Sequence, residues 1–252
     1  MVAAAKLHRH AGRKRAGRFL AEGPNLVEAA LRCGAARELF ITDSAAARFD
    51  TLLAGVDVPV HRVTERAAKA LSDTVTPVGL VAVCEPAPVT ITDVVAQRPG
   101  LVVVAVGISE PGNAGTLIRL SHAMGPAAVV LAGHSVDPYN AKCLRASAGS
   151  VFAVPVVVQA DPAAALETLS AAGLQVFATT VDGDTTLDDT EPLLTAPTAW
   201  VFGAEAHGLP PEVAALADRR VFISMPGDVE SLNVATAAAI CLYLSARAQR
   251  RV

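Results

Sequence analysis

Aromatic residues make up only 4% of the 252-residue chain. Large ring clusters are therefore not expected to organise the core, and Ala, Val and Leu must fill it by close helix-on-sheet packing. Cysteine is nearly as sparse. Cys33, Cys84, Cys143 and Cys241 are scattered, with no C-x-x-C pair and no ligand-like spacing to histidine. That excludes a disulfide framework, offers no zinc site, and predicts that no metal is bound. The longest apolar runs, such as Leu101–Ile108, are far shorter than the roughly 20 residues a membrane helix needs. No apolar stretch follows the charges at the amino terminus, so no export signal is read and a cytoplasmic location is expected. No G-x-G-x-x-G follows a strand, and no Lys-Ser or Lys-Thr pair follows a glycine run, which removes the two commonest phosphate cradles.

What the chain does have is a 52% hydrophobic content, enough for a well-filled core. Its net charge of -3 is unevenly spread. Residues 6–18 carry Lys6, Arg9, Arg13, Lys14, Arg15 and Arg18, with His8 and His10 among them and no acid. The remainder holds 15 basic against 24 acidic side chains, a balance of -9. A basic arm on an acidic body suggests a local contact with a polyanion, although charge runs are usually solvated faces.

Strand and helix patterns alternate in two blocks. In the first, short strands at about 19–23, 38–42, 58–63 and 78–84 alternate with helices at 24–33, 44–54 and 65–71, the second of them capped by Ser44. Prolines 86, 88 and 99 then mark a linker. The second block has stronger strands, at 101–106, 128–131, 154–158, 174–179, 199–202 and 221–224, with helices between them and a final Ala-rich helix after Ser231. Near-continuous apolar strands alternating with helices predict an α/β fold with a parallel sheet covered on both faces. The domains are drawn at 1–88, a linker at 89–98, and 99–252. Asp182–Thr190, DGDTTLDDT, reads as an acidic, solvated loop.

Three polar, glycine-bearing loops follow strands of the second block, at the edge where open α/β sheets bind ligands. In the first, Asn113 suits a helix N-cap, and Gly115 leaves the face beside Arg119 open; arginine is the side chain that best grips a phosphate. In the second, Gly203 and Gly208 let the backbone approach a flat ligand, while Glu205 and His207 add titratable groups. The third, after Val221, carries Asp228, Glu230, Ser231 and Asn233. Each has a plain structural alternative: a capped helix with a surface arginine, a hydrogen-bonded structural histidine, a pair of helix caps.

Together, N-x-G-x-x-x-R at Asn113–Arg119, F-G-x-E-x-x-G-L at Phe202–Leu209 and I-x-M-x-G-x-x-x-S-L-N-V-A at Ile223–Ala235 resemble the three ordered motifs of the SpoU-type (TrmH-like) RNA ribose methyltransferases of the SPOUT superfamily. The resemblance covers about residues 100–250; the front part more weakly resembles the family's substrate-binding domain, a fold shared with RNA-binding ribosomal proteins. It implies a carboxyl-terminal trefoil knot, which general chain-path rules disfavour. It also implies a homodimer binding S-adenosylmethionine and transferring its methyl group to a ribose 2′-hydroxyl, with ribosomal RNA preferred over transfer RNA. Asn113, Arg119, Glu205, Ser231 and Asn233 would line the transfer site, Arg119 arriving from the partner subunit. Thr179, Gly203, Ile223, Met225 and Leu232 would hold the cofactor. An Arg is a poor base, so a phosphate clamp suits Arg119, and Glu205 is the more ordinary proton acceptor. An ordinary dinucleotide-binding enzyme is disfavoured because Gly107, Gly112 and Gly115 are wrongly spaced, and a non-catalytic RNA-binding protein because all five transfer-site residues are present.

Overall fold

The computed structural model describes residues 1–125 and 128–250. They form two compact units: Met1–Pro88 with Asp137–Ala153, and Val89–Val136 with Val154–Val252. The first unit therefore takes in a segment that the sequence pattern alone assigns to 99–252.

The first unit is a four-stranded mixed sheet. Strands β1 (Phe19–Glu22), β2 (Ala36–Ile41), β3 (Val60–Arg62) and β4 (Leu80–Cys84) stand in the order β1-β4-β2-β3, with only β2 and β3 parallel. One face packs Phe19, Leu26, Val27, Leu39 and Ile41 against Leu144. There Phe19 stacks on Tyr139 (4.4 Å between centroids) and Phe152 (5.9 Å), both from the 137–153 segment. The other face packs Leu20, Phe40, Val81 and Val83 with Ala4, Leu7 and Leu71. Ala4 and Leu7 explain why the amino terminus is folded: they cover apolar sheet surface that a free arm would leave wet.

The basic stretch is thus no loose arm but a helix (Val2–Ala5), a 3-10 turn (Lys6–His8) and a second helix (His10–Ala16). Arg13 is buried, 8% exposed. Its Nε donates to Asp137 Oδ2 (2.7 Å), and its Nη1 donates to the carbonyls of Leu7 (3.0 Å) and His8 (2.9 Å). Arg18 pairs with Glu85 (2.8 Å), and hydrogen bonds from Arg37 and Arg18 hold that half-buried carboxyl below its ordinary range.

The second unit is a seven-stranded, wholly parallel sheet. Its strands are β5 (Leu101–Val106), β6 (Ala128–Ala132), β7 (Val156–Gln159), β8 (Gln175–Thr179), β9 (Thr185–Thr186), β10 (Thr198–Phe202) and β11 (Arg219–Phe222), in the order β7-β6-β5-β10-β8-β11-β9. Every residue of β5, β6 and β10 is buried, as the uninterrupted Val and Ala runs require when helices cover both faces. The scarce aromatics concentrate: Trp200 meets Phe177 edge-on at 5.3 Å and stacks near Phe202 at 6.4 Å. With the Phe19 cluster, these rings form two small groups beside a core otherwise filled by Val, Ala and Leu. The indole N–H of Trp200 donates to Ser245 Oγ (2.8 Å) on the final helix, Val234–Gln249.

Three local expectations are corrected. Residues 89–98, read as linker, contain the helix Ile91–Ala96, because Thr90 and Asp93 form a reciprocal capping box that prolines on either side do not disturb. The acidic 182–190 stretch holds β9 and a turn of helix (Leu187–Thr190), with Leu187 3% exposed and Thr190 fully buried. Thr42, not Ser44, caps the helix Asp43–Arg48, accepting from the Ala45 N–H (3.2 Å). Among the described residues no helix is long and apolar enough to cross a membrane. All four cysteines are free; burial pushes the Cys143 thiol up to about 12 and those of Cys84 and Cys241 higher still.

Removing the Arg13 side chain strands Asp137 and two carbonyls, so Arg13→Ala is expected to cost about 3 kcal/mol in denaturant unfolding, whereas Lys14→Ala should cost almost nothing. Equal small losses for the two would contradict a structural Arg13. Ser245→Ala leaves the buried indole N–H without an acceptor and should cost about 2 kcal/mol; an unchanged midpoint would remove that bond from the fold's support.

Candidate functional site

The carboxyl ends of β5, β10, β8 and β11 lie side by side, about 5 Å from one strand to the next. Everything the sequence flagged in the second unit hangs from that edge.

At β5 the chain turns through Gly107, whose φ of +68° suits glycine. Ser135 Oγ fastens the turn: it lies 2.7 Å from Ala132 O and 3.1 Å from Ala105 O, and accepts the Ile108 N–H at 3.1 Å. The helix that follows runs Pro111–Met124 with Glu110 as its N-cap, the carboxylate accepting the Gly112 N–H at 3.2 Å. It begins earlier than an Asn113 cap requires, because Pro111 fits the first helical position, where no N–H is needed. Asn113 therefore sits inside the first turn with its amide free for other work.

At β10 the loop Gly203–Gly208 folds back on itself. Ala204 and Gly208 exchange backbone hydrogen bonds (3.1 and 2.8 Å), and Gly208 has φ +65°. A Cβ on Gly203 would collide with the Gly208 and Leu209 backbone, so only glycine closes this turn. The closure lifts Glu205, Ala206 and His207 into solvent at its tip.

At β11 the chain runs from Ile223 to Leu232 with no backbone–backbone hydrogen bond among the described residues, then enters the final helix at Asn233. Asn233 Oδ1 accepts from the N–H groups of Ala235 (2.9 Å) and Thr236 (3.4 Å). This cap fixes which way the amide faces. Its oxygen is committed to the helix, so its nitrogen points outward, where it donates to Asn113 Oδ1 at 3.1 Å. Asn113 Oδ1 is then an acceptor, which turns its Nδ2 to Glu205 Oε1, and the two are hydrogen-bonded. One string, Asn233 to Asn113 to Glu205, ties the three loops together.

The structure thus joins three of the five expected transfer-site residues directly. Arg119 is six residues beyond Asn113, about 120° away from it around the helix at 3.6 residues per turn. It is exposed, with no hydrogen bond or ion pair to the described residues. Ser231 is exposed on the loop before the cap and likewise makes no side-chain hydrogen bond. Of the expected cofactor residues, Thr179 donates its hydroxyl to Val201 O (3.0 Å), linking β8 to β10. Gly203 and Ile223 follow β10 and β11, on either side of β8, while Ile223, Met225 and Leu232 are half-buried on the unpaired loop. His207 is exposed at the β10 turn, outside the string.

One residue that the sequence pattern does not single out is Thr180. Its N–H goes to Val221 O (3.0 Å), but its hydroxyl is buried with no partner. Only its place as the second threonine at a strand end hints at it in the sequence. No group of three His, Cys, Asp or Glu side chains suited to a metal ion occurs among the described residues.

Residues 100–243 match the model of the SpoU rRNA methylase family, and residues 3–82 match the MRM3-like substrate binding domain. The chain is 33% identical over 239 residues to the 23S rRNA (guanosine(2553)-2′-O)-methyltransferase RlmP of Bacillus subtilis, covering 94% of this chain and 92% of that protein. Among solved structures it resembles the SpoU methyltransferase AviRb of Streptomyces viridochromogenes in complex with AdoMet (TM-score 0.86, 30% identity, 99% of this chain and 98% of that one). It also resembles an AdoMet-bound rRNA methyltransferase of Sinorhizobium meliloti (TM-score 0.85, 28% identity, 98% and 93%). A sheet edge carrying all three motifs, joined through Asn113, and a family match that spans more than half the residues lead to one conclusion: the chain belongs to the SpoU rRNA methylase family.

Proposed function

We propose that this protein is an S-adenosylmethionine-dependent methyltransferase acting on a ribose 2′-hydroxyl of 23S ribosomal RNA. The observation that carries the reading is the string from Asn233 through Asn113 to Glu205, which sets a carboxylate in a defined orientation at the edge of the parallel sheet. The choice of ribosomal RNA rests on relatives such as RlmP, similar along both units.

The edge fits an adenosyl group. Adenine offers both donors and acceptors on its rim, and the Ile223–Leu232 backbone has both to spare. Thr180 contributes a buried hydroxyl that lacks a partner, and Gly203 keeps the β10 turn tight. Thr179, Gly203, Ile223, Met225 and Leu232 are the residues assigned to hold the cofactor.

Bound S-adenosylmethionine supplies an electrophilic methyl group carried on a positively charged sulfur. The 2′-hydroxyl must lose a proton as its oxygen takes that methyl, so the chain has to orient the hydroxyl and accept the proton. Glu205 suits the role of proton acceptor, since Asn113 donates to one carboxylate oxygen and leaves the other open at the exposed tip. Arg119 suits the orienting role as a clamp on the neighbouring phosphate, its fork of donors unengaged. Ser231 lies next to the same loop end and positions the ribose.

Arg119 makes no hydrogen bond to the string in its own chain, which supports a homodimer in which each site borrows the partner's arginine. The final helix packs against Trp200 and returns to the start of the sheet, where Gln249 Nε2 donates to Gly100 O (2.8 Å). Membership of the family implies the carboxyl-terminal trefoil knot, and a cytoplasmic location belongs to the same reading.

Asn233→Asp keeps an oxygen for the helix cap but sets an acceptor against Asn113 Oδ1. Transfer of labelled methyl to 23S rRNA from cells lacking the gene should fall about 100-fold, the scale of a misplaced proton acceptor, with S-adenosylmethionine affinity by calorimetry unchanged. Wild-type transfer by this variant would sink the string's role; no transfer by the native protein to any RNA would sink the function itself. If Arg119 acts across a two-fold interface, a heterodimer of Arg119→Ala and Asn233→Asp subunits has one intact site and recovers about half of native activity. Recovery no better than either parent would place Arg119 in its own subunit's site.

A further inference from the structure

The most exposed large apolar side chain among the described residues is Val75, 97% accessible, in the loop Ser72–Gly79 of the first unit. This loop is not slack. At its start Glu22 accepts the hydroxyls of Ser72 (2.5 Å) and Thr74 (3.1 Å) and the N–H of Asp73 (3.4 Å), and Asp73 pairs with Arg145 (3.4 Å). At its end Gly79, with φ +80°, is pressed against Thr42, whose N–H donates to Gly79 O (2.9 Å). Both ends are fastened, so Val75 is held out in water rather than left there by a wandering chain.

Cations lie beside the entrance to this loop. His8 Nε2 lies 3.2 Å from Ala70 O, setting the Lys6–Arg9 turn against the end of the helix Glu65–Ala70, whose last turn bears Lys69. Leu7, His8, Leu71, Asp73 and Arg145 line one cavity of about 20 Å³, which places the turn and the loop entrance together. The acids nearby are already engaged: Glu22 by the loop, Asp73 by Arg145 and Asp137 by Arg13. Lys6, Arg9 and Lys69 are exposed and have no ion pair among the described residues.

We propose that the Ser72–Gly79 loop and the cations around it form the surface by which the first unit grips single-stranded RNA, Val75 packing against an unstacked base while Lys6, Arg9 and Lys69 neutralise phosphates. An apolar prong on a loop whose entrance is flanked by unpaired positive charge is complementary to a chain that alternates anionic and flat apolar groups. In duplex RNA the bases are stacked inward, out of reach of one valine. The inference rests on the reading of the substrate as RNA and adds where the first unit meets it and in what form.

The test uses the full-length protein with three probes: a 23S rRNA transcript, a polyuridine oligonucleotide and an RNA duplex of equal length. Val75→Ser removes apolar surface and no charge. It should weaken polyuridine and transcript binding about tenfold, the worth of covering one valine, leaving the salt dependence and S-adenosylmethionine affinity unchanged. The Lys6→Ala, Arg9→Ala double variant should instead flatten the slope of log affinity against log salt by about 1.4, at 0.7 for each single-strand phosphate. Native affinity of Val75→Ser for polyuridine, or an equal loss on the duplex, overturns the proposal. Methyl transfer by the native protein, assayed alongside, separates this from the functional reading: transfer with binding indifferent to Val75 defeats the surface alone.

Discussion

The site depends on which way a single amide faces. Asn233 is held by the first turn of the final helix, whose N–H groups have no intrahelical acceptors and take its oxygen. With the oxygen committed, hydrogen-bond complementarity orients Asn113 and then Glu205. The helix does not touch the carboxylate; it sets it through two amides. A buried helix that needs a cap anyway thereby becomes the reference for the geometry of the three loops. Its own position is secured by Ser245 on Trp200 and Gln249 on Gly100, at points along its other end.

The parallel sheet supplies the rigidity this arrangement needs. Its central strands are buried on both faces, β5 and β6 filled by Val, Ala and Leu and β10 by Trp200 and Phe202 as well, so they pack without slack. The loops at their carboxyl ends can then carry exposed polar groups without losing their place. Gly203 is the sharpest example: its lack of a side chain lets the turn close on Leu209, which holds Glu205 at a tip instead of on a swinging loop. The Ile223–Leu232 stretch is the opposite case. It keeps its backbone unpaired, which costs little in water and leaves donors and acceptors for a ligand.

In the first unit the same charges serve two ends. Arg13 belongs to the basic run by sequence, yet it is an interior post that joins the amino-terminal turns to Asp137. Its neighbours Lys6 and Arg9 remain in solvent. Burying one guanidinium with full hydrogen bonding is what allows the others to be presented from a folded surface and not a trailing arm. The 137–153 segment completes the arrangement, lending Asp137 to Arg13, Arg145 to Asp73 and two rings to Phe19.

Much of this is legible in the residues. Apolar runs at strand length locate β5, β6, β8 and β10 to within a residue or so, because burial on both faces leaves a pattern that needs no partner to be recognised. The three glycine-bearing motifs mark the ligand edge, since close backbone approach and polar loops are local requirements. Other features are not legible. Asn113 reads as the cap of its helix, whereas Glu110 caps it ahead of Pro111 and leaves the Asn113 amide to join Asn233 and Glu205. The acidic 182–190 stretch looks solvated because its strand is two residues long and its pairing partner, β11, lies more than 30 residues onward. By itself, then, the sequence determined the strands, the parallel sheet and the residue types at its edge, all set by short-range pattern and solvent preference. Which arginine is interior, which asparagine caps a helix and which only relays a hydrogen bond were decided by the tertiary structure, because each depends on a partner many residues away whose nearness no local pattern encodes.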